Sequence, residues 1–152
     1  MVILKKILDF YINSSLHVAL SAFALVSMTQ YFFGVEEDFS VAFFAFFGTV
    51  IGYNFVKYDA IARLNKTEIK KELKVIVFLS FISLLACFYF FLQLSWMSKV
   101  SAFAFFGLTL LYTLPFFPNK QNARNWKGVK IYIVGITWVG VTVILPLVEA
   151  EI

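Results

Sequence analysis

The sequence has 152 residues, of which 61% are hydrophobic, 20% aromatic and only 14% charged, with a formal net charge of +4. Soluble domains run at roughly 45–50% apolar and about 25% charged, so a water-borne particle made from this chain would expose large apolar patches. Twenty Phe and a mean hydropathy of +0.85 exclude intrinsic disorder as well. The composition is that of an integral membrane protein. The single Cys, Cys87, excludes a disulfide within the chain and a Cys-based zinc site.

Apolar runs long enough to cross a hydrocarbon core of roughly 30 Å predict five transmembrane helices, at about 10–33, 39–56, 75–94, 100–117 and 131–148. Segments such as Phe43-Phe44-Ala45-Phe46-Phe47 do not alternate as barrel strands do, so the expected fold is an all-α, polytopic helix bundle forming a single domain. The first run follows Lys5 and Lys6 and contains Ala22-Phe23-Ala24, which has the form of a signal-peptide cleavage site. Asp9, Asn13, Ser14, Ser15 and His17 interrupt the apolar core that such a peptide needs, so the run reads as a retained span. Within it Asn13 and His17 are four residues apart and are expected on one face turned into the bundle. They serve there either as interhelical hydrogen-bonding groups or in a substrate or proton-relay role.

The second span carries Gly48 and Gly52, a GxxxG spacing that suits close helix packing or a dimer face. Gly34 to Asp38 and Ser95 to Lys99 are expected as short turns that make their neighbours antiparallel hairpins. Asn65 with Glu68 resembles a capping box and predicts a helix that runs on into the third span. Pro115, Pro118 and the polar run Asn119 to Asn122 are expected to stop the fourth. The abundant Phe side chains are either lipid-facing bulk or the wall of a pocket for an unsaturated chain.

Orientation follows from the basic residues. Lys5 and Lys6, the segment from Lys57 to Lys74, and the segment from Lys120 to Lys130 hold twelve of the thirteen; Lys99 stands alone on the other side with Glu36, Glu37, Asp38, Glu149 and Glu151. The positive-inside rule puts the N-terminus and both longer loops in the cytoplasm and the C-terminus outside, as in a multi-pass protein of the inner, cytoplasmic membrane. Topology accounts for these cations without a nucleic-acid partner.

The densest polar cluster is Tyr53, Asn54, Lys57, Tyr58 and Asp59 at the end of the second span, with Tyr112, Lys120 and Arg124 at the same membrane face after the fourth. A carboxylate and an amide can hold Mg²⁺ through water, and Lys or Arg can take phosphate oxygens. Alternatively, the same residues form an interfacial belt, with Tyr at headgroup level and Lys reaching out to it.

The segment Gly48-Thr-Val-Ile-Gly-Tyr-Asn-Phe-Val-Lys-Tyr-Asp59 resembles the second-helix end of the UbiA-type intramembrane prenyltransferases, where an Asn opens an Asp-rich motif. Leu111-Tyr-Thr-Leu-Pro-Phe-Phe-Pro-Asn-Lys120 and Trp126-Lys-Gly-Val-Lys-Ile-Tyr-Ile-Val-Gly135 are similar to the fourth-helix end and fifth-helix start of that family. Asn13-Ser-Ser-Leu-His-Val-Ala-Leu20 and the final Val-Ile-Leu-Pro146 extend the likeness to UbiA-like membrane proteins of Bacteroidota-type bacteria. The resemblance implies the first half of a nine-helix fold, an isoprenoid diphosphate or membrane lipid as ligand, Mg²⁺ as the metal of an active member, and a ligand site at Asn54, Asp59, Tyr112, Lys120 and Arg124.

The family pattern, Asn-Asp-x-x-Asp-x-x-x-Asp, is matched by Asn54, but its acidic positions fall here on Phe55, Tyr58 and Ala62, and Asp59 is one residue late. A one-residue offset on a helix turns a side chain by about 100°. The family's second Asp-rich motif, after helix six, has no counterpart in the chain. The expectation is a UbiA-like protein that binds a lipid with weak or absent prenyl transfer. The alternative is a non-enzymatic scaffold, a homo-oligomer or a subunit working with a second membrane protein.

Overall fold

A computed structural model describes residues 2–36, 38–64, 71–113 and 128–152, with side chains at all of these except 2, 59–64, 71 and 72. Every described element is helical: α1 Val2–Asn13, α2 Leu16–Phe32, α3 Phe39–Leu64, α4 Lys71–Gln93, α5 Trp96–Thr113, α6 Val129–Val139, a π-helical segment Gly140–Ile144, and α7 Leu145–Glu149. Three stretches are long and apolar enough to cross a membrane, Phe39–Tyr58, Leu73–Gln93 and Val129–Glu149, and a fourth is obtained if α1 and α2 are counted as one bent span. This is a multi-pass helical membrane protein.

The helices zip antiparallel. Ser40 Oγ donates to Gln93 Oε1 at 2.9 Å, Phe43 stacks on Phe90 at 5.2 Å, and Asn54 Nδ2 donates to Ser80 Oγ at 3.0 Å. As the α3 number rises the α4 number falls, which aligns the pair along some fourteen residues, or about 21 Å of helix. The turn between α4 and α5 is only Leu94 and Ser95, tighter than expected, and Lys99 lies inside α5. The bundle therefore has a turn end, with Phe33 to Glu36, Asp38, Leu94–Ser95 and the C-terminus, and a loop end, with the end of α1, the end of α3 and the starts of α4 and α6.

The core belongs mainly to the half nearer the turn end. Val26 of α2, Val41, Ala42 and Ala45 of α3, Leu94, Ala102 of α5 and Leu145 of α7 form one buried cluster. Small residues on α3 let α2 approach, which is how helices associate where lipid already solvates apolar side chains. Helix ends here are capped by carboxylates. Asp38 Oδ1 accepts the Ser40 N–H at 2.8 Å, and both Glu149 oxygens accept the Ser95 N–H at 3.0 Å, placing negative charge at the N-termini of α3 and α5.

Two spans differ from the sequence reading. The last is not a continuous α-helix, because Pro146 has no N–H and its ring crowds the carbonyl of residue 142. The helix widens to π over Gly140–Ile144, and Thr29 Oγ1 of α2 donates to the Thr142 carbonyl at 2.8 Å, replacing the lost donor. Gly140 is required where it stands, since a Cβ would run into the Phe105 ring of α5.

The first run is not one helix either. It bends by 61° between α1 and α2, at Ser14 and Ser15, and Ser15 adopts φ 62°, a left-handed conformation that ends a helix. The carbonyls at the end of α1 are nonetheless satisfied. The Ser14 N–H donates to Phe10 O, Ser14 Oγ to Tyr11 O and the Ser15 N–H to Ile12 O. Asn13 and His17 consequently do not share a helix face, because the chain turns between them. The start of the third span agrees with a helix entering from the loop, as α4 begins at Lys71. The Asn65–Glu68 box and the residues expected to stop the fourth span lie outside the described residues. At the second Gly of the GxxxG pair nothing stands within 4 Å of where a Cβ would be, and at Gly48 the nearest atom is Cys87 Sγ at 3.8 Å. Among the described residues the motif brings no two backbones into tight approach.

Candidate functional site at the loop end

The last turns of α3 send successive polar side chains to three neighbours. Asn54 faces α4 and is 3% exposed. Its Nδ2 donates to Ser80 Oγ, which donates in turn to the Ile76 carbonyl at 2.9 Å. Because the Ser80 proton is committed to its own helix, the amide must offer nitrogen to Ser80, and Oδ1 points the other way. That oxygen is buried and accepts no hydrogen bond.

Tyr53, one position earlier, faces α6. Its hydroxyl accepts the Trp138 indole N–H at 3.2 Å, and the two rings meet edge-on with centroids 6.4 Å apart. Lys57 and Tyr58, one turn beyond Asn54, reach the end of α1. Tyr58 Oη donates to the Asn13 carbonyl at 2.8 Å; Lys57 Nζ donates to the same carbonyl at 3.2 Å and to Asn13 Oδ1 at 3.4 Å. The ammonium also sits 5.5 Å from the Tyr58 ring centroid. A cation at a helix C-terminus is favourable to the helix dipole. These two residues therefore form a clamp that holds α1 against α3.

His17 opens α2 beside this clamp. Its ring lies 5.9 Å from that of Tyr11, tilted by 56°, and its Nδ1 is buried with no partner. His17 Nδ1 and Asn54 Oδ1 are the two buried side-chain atoms without hydrogen bonds among the described residues.

The residues singled out in the sequence thus divide. Asn54 is turned to α4, and Asn13 is engaged by the clamp. Tyr112 is half-buried on α5, which packs on α6, the π segment and α7, whereas α3 packs on α2 and α4. The Asp59 side chain, and Lys120 and Arg124 entirely, lie outside the described residues. Mg²⁺ takes near-octahedral oxygen ligands, usually with carboxylates among them. The described groups do not suit it. Asn54 offers one neutral oxygen, Phe55 has none, the Tyr58 hydroxyl is spent on Asn13, and among the described residues no three His, Cys, Asp or Glu gather.

Sequence reasoning missed two links. The Thr29–Thr142 bond was announced by Pro146 with a residue four before it whose carbonyl must find another donor. Trp138 gave no signal, being one aromatic among many. Comparison with known proteins finds no match to a family model, a curated protein or a solved structure.

Proposed function

We propose that the protein is a five-span protein of the inner membrane, with its loop end in the cytoplasm, that holds a lipid headgroup at that end and does not transfer a prenyl group. The twelve-to-one distribution of basic residues supports the orientation. The fourth expected span is α5, whose 18 residues give about 27 Å of helix, close to the thickness of a hydrocarbon core. A UbiA-like arrangement is consistent with Asn54 buried near the loop end of the second span.

The observation that carries the lipid reading is the unpartnered Asn54 Oδ1. A buried polar atom left unsatisfied costs about 1–3 kcal/mol, and a hydroxyl or ammonium of a headgroup supplies the missing donor, while Lys120 and Arg124 offer charge-assisted contacts to its phosphate. Catalysis is disfavoured because Phe55, Tyr58 and Ala62 occupy the acidic positions. Leaving-group diphosphates need metal ions or several cations to neutralise them.

Mass spectrometry of lipid retained by the purified protein tests this. Lys120→Ala with Arg124→Ala should lower retention of an anionic lipid more than Lys70→Ala with Lys71→Ala. Equal losses would reduce the effect to attraction by an anionic surface, and turnover of any isoprenoid diphosphate with Mg²⁺ would overturn the non-catalytic reading. The second reading, a non-enzymatic subunit, is favoured by the open space at Gly52, which leaves a small-residue surface on α3 for another helix. Copurification of a second polytopic protein, or a defined homo-oligomer, would move the balance to it.

A further inference from the structure

We propose that α1 is not part of a membrane span but an amphipathic helix docked in the plane of an anionic bilayer surface, held at a set angle to the bundle by Lys57 and Tyr58. The first argument is length. Counted as one span, α1 and α2 hold about one and a half times the residues that a core of roughly 30 Å requires, whereas the 17 residues of α2 alone give about 25 Å and reach the lower end of the spanning range. The bend of 61° turns α1 away from α2, so the two cannot both run along the membrane normal.

The second argument is the distribution of side chains around α1. At about 100° per residue, Lys5, Lys6, Asp9 and Asn13 fall within roughly 100° of one another, and the remaining arc is apolar. Ile3, Leu4, Ile7, Leu8, Phe10 and Ile12 are all exposed, Ile3 at 76% and Leu4 at 70%. Exposure runs without interruption from Ile3 to Phe10, so none of the described residues covers this face. An apolar arc beside a charged one is the pattern of helices that lie at the headgroup boundary. Burying Lys5, Lys6 and Asp9 within the core would instead be costly.

The third argument is what holds the angle. The left-handed turn at Ser15 and the double grip on the Asn13 carbonyl leave no free acceptor at Asn13 that would draw α1 back into line with α2. Of the possible covers for the apolar arc, a bilayer surface agrees best with the charges. Lys5 and Lys6 stand beside the apolar arc, where long basic side chains reach anionic headgroups, and Asp9 is the one acid on that side.

The test is spin-label depth in vesicles, using the full chain carrying Cys87→Ser and single cysteines at Ile3, Ile7, Phe10, Lys5 or Asp9, in phosphatidylcholine with and without one third phosphatidylglycerol. Labels at Ile3, Ile7 and Phe10 should sit at one common depth, about 5–10 Å below the headgroups, and those at Lys5 and Asp9 in water. Lys5→Glu with Lys6→Glu should raise the apolar-side labels toward water. Depth that increases steadily along α1 would show a span and overturn the proposal. Labels shielded from both lipid and water would show a protein partner, such as a second copy, and would also overturn it. Identical depths with Glu at both lysine positions and without phosphatidylglycerol would remove the anionic surface as the occupant. A clamp variant, Lys57→Ala with Tyr58→Phe, should keep the apolar labels in lipid but broaden their depth distribution, and an unchanged distribution would remove the clamp's role.

Discussion

The two ends of the bundle treat buried polar groups in opposite ways. Near the turn end, a carbonyl orphaned by Pro146 is met by Thr29, the starts of α3 and α5 are capped by Asp38 and Glu149, and Gln30 Nε2 donates to the Asp38 carbonyl. In the half nearer the loop end, Asn54 Oδ1 and His17 Nδ1 are buried without a partner. The first arrangement is that of a packed anchor, in which each departure from a regular helix is answered by a side chain. The second leaves hydrogen-bonding capacity unspent near the loop end.

The largest test of the contrast is Gly140→Ala. The added methyl meets the Phe105 ring, and overpacking of this kind costs about 1–3 kcal/mol. A lower thermal midpoint in detergent, partly restored by Phe105→Leu, is the expected result; no change would mean that α5 and the π segment are not held as tightly as the turn end requires. A smaller loss, about 1 kcal/mol, is expected for Thr29→Val, which strips the donor from the Thr142 carbonyl. The loss should shrink when Pro146→Ala restores a backbone N–H to the last span. A double-mutant cycle measures that coupling, and additivity would show that Thr29 is not answering Pro146.

Much of the anchor half was legible in the sequence. The apolar runs fall within two residues of the three stretches long and apolar enough to cross a membrane, and the acids at Asp38 and Glu149 mark helix ends. What was not legible depended on backbone events rather than on hydropathy. Ser14 and Ser15 sit in the middle of an otherwise continuous run, and no proline or glycine announces the turn there; their hydroxyl and left-handed geometry become decisive only once Lys57 and Tyr58 are near enough to take the Asn13 carbonyl. The same tertiary contact explains why two residues of the polar cluster proved to be structural. Asn54 was singled out as a polar residue of a candidate ligand site, but its burial and its direction toward α4 depend on the α3–α4 register, which spacing along one helix cannot give.

The smallest expected effect on stability is at Asn54. Asn54→Leu keeps the number and branching of the side-chain heavy atoms, removes the hydrogen bond to Ser80, and removes an orphaned oxygen with it. Ser80 keeps its bond to the Ile76 carbonyl, so no new donor is stranded. Losing an interhelical side-chain bond in a membrane costs on the order of 0.6 kcal/mol, and relieving an unsatisfied acceptor returns a comparable amount. The stability read from the thermal midpoint should therefore stay within about 0.5 kcal/mol of the parent's, in contrast to Thr29→Val. If lipid retention falls while the midpoint holds, the oxygen is kept for a ligand. A midpoint lowered as far as in Thr29→Val, with retention unchanged, would make Asn54 a packing residue like those at the turn end and would erase the difference between the two ends.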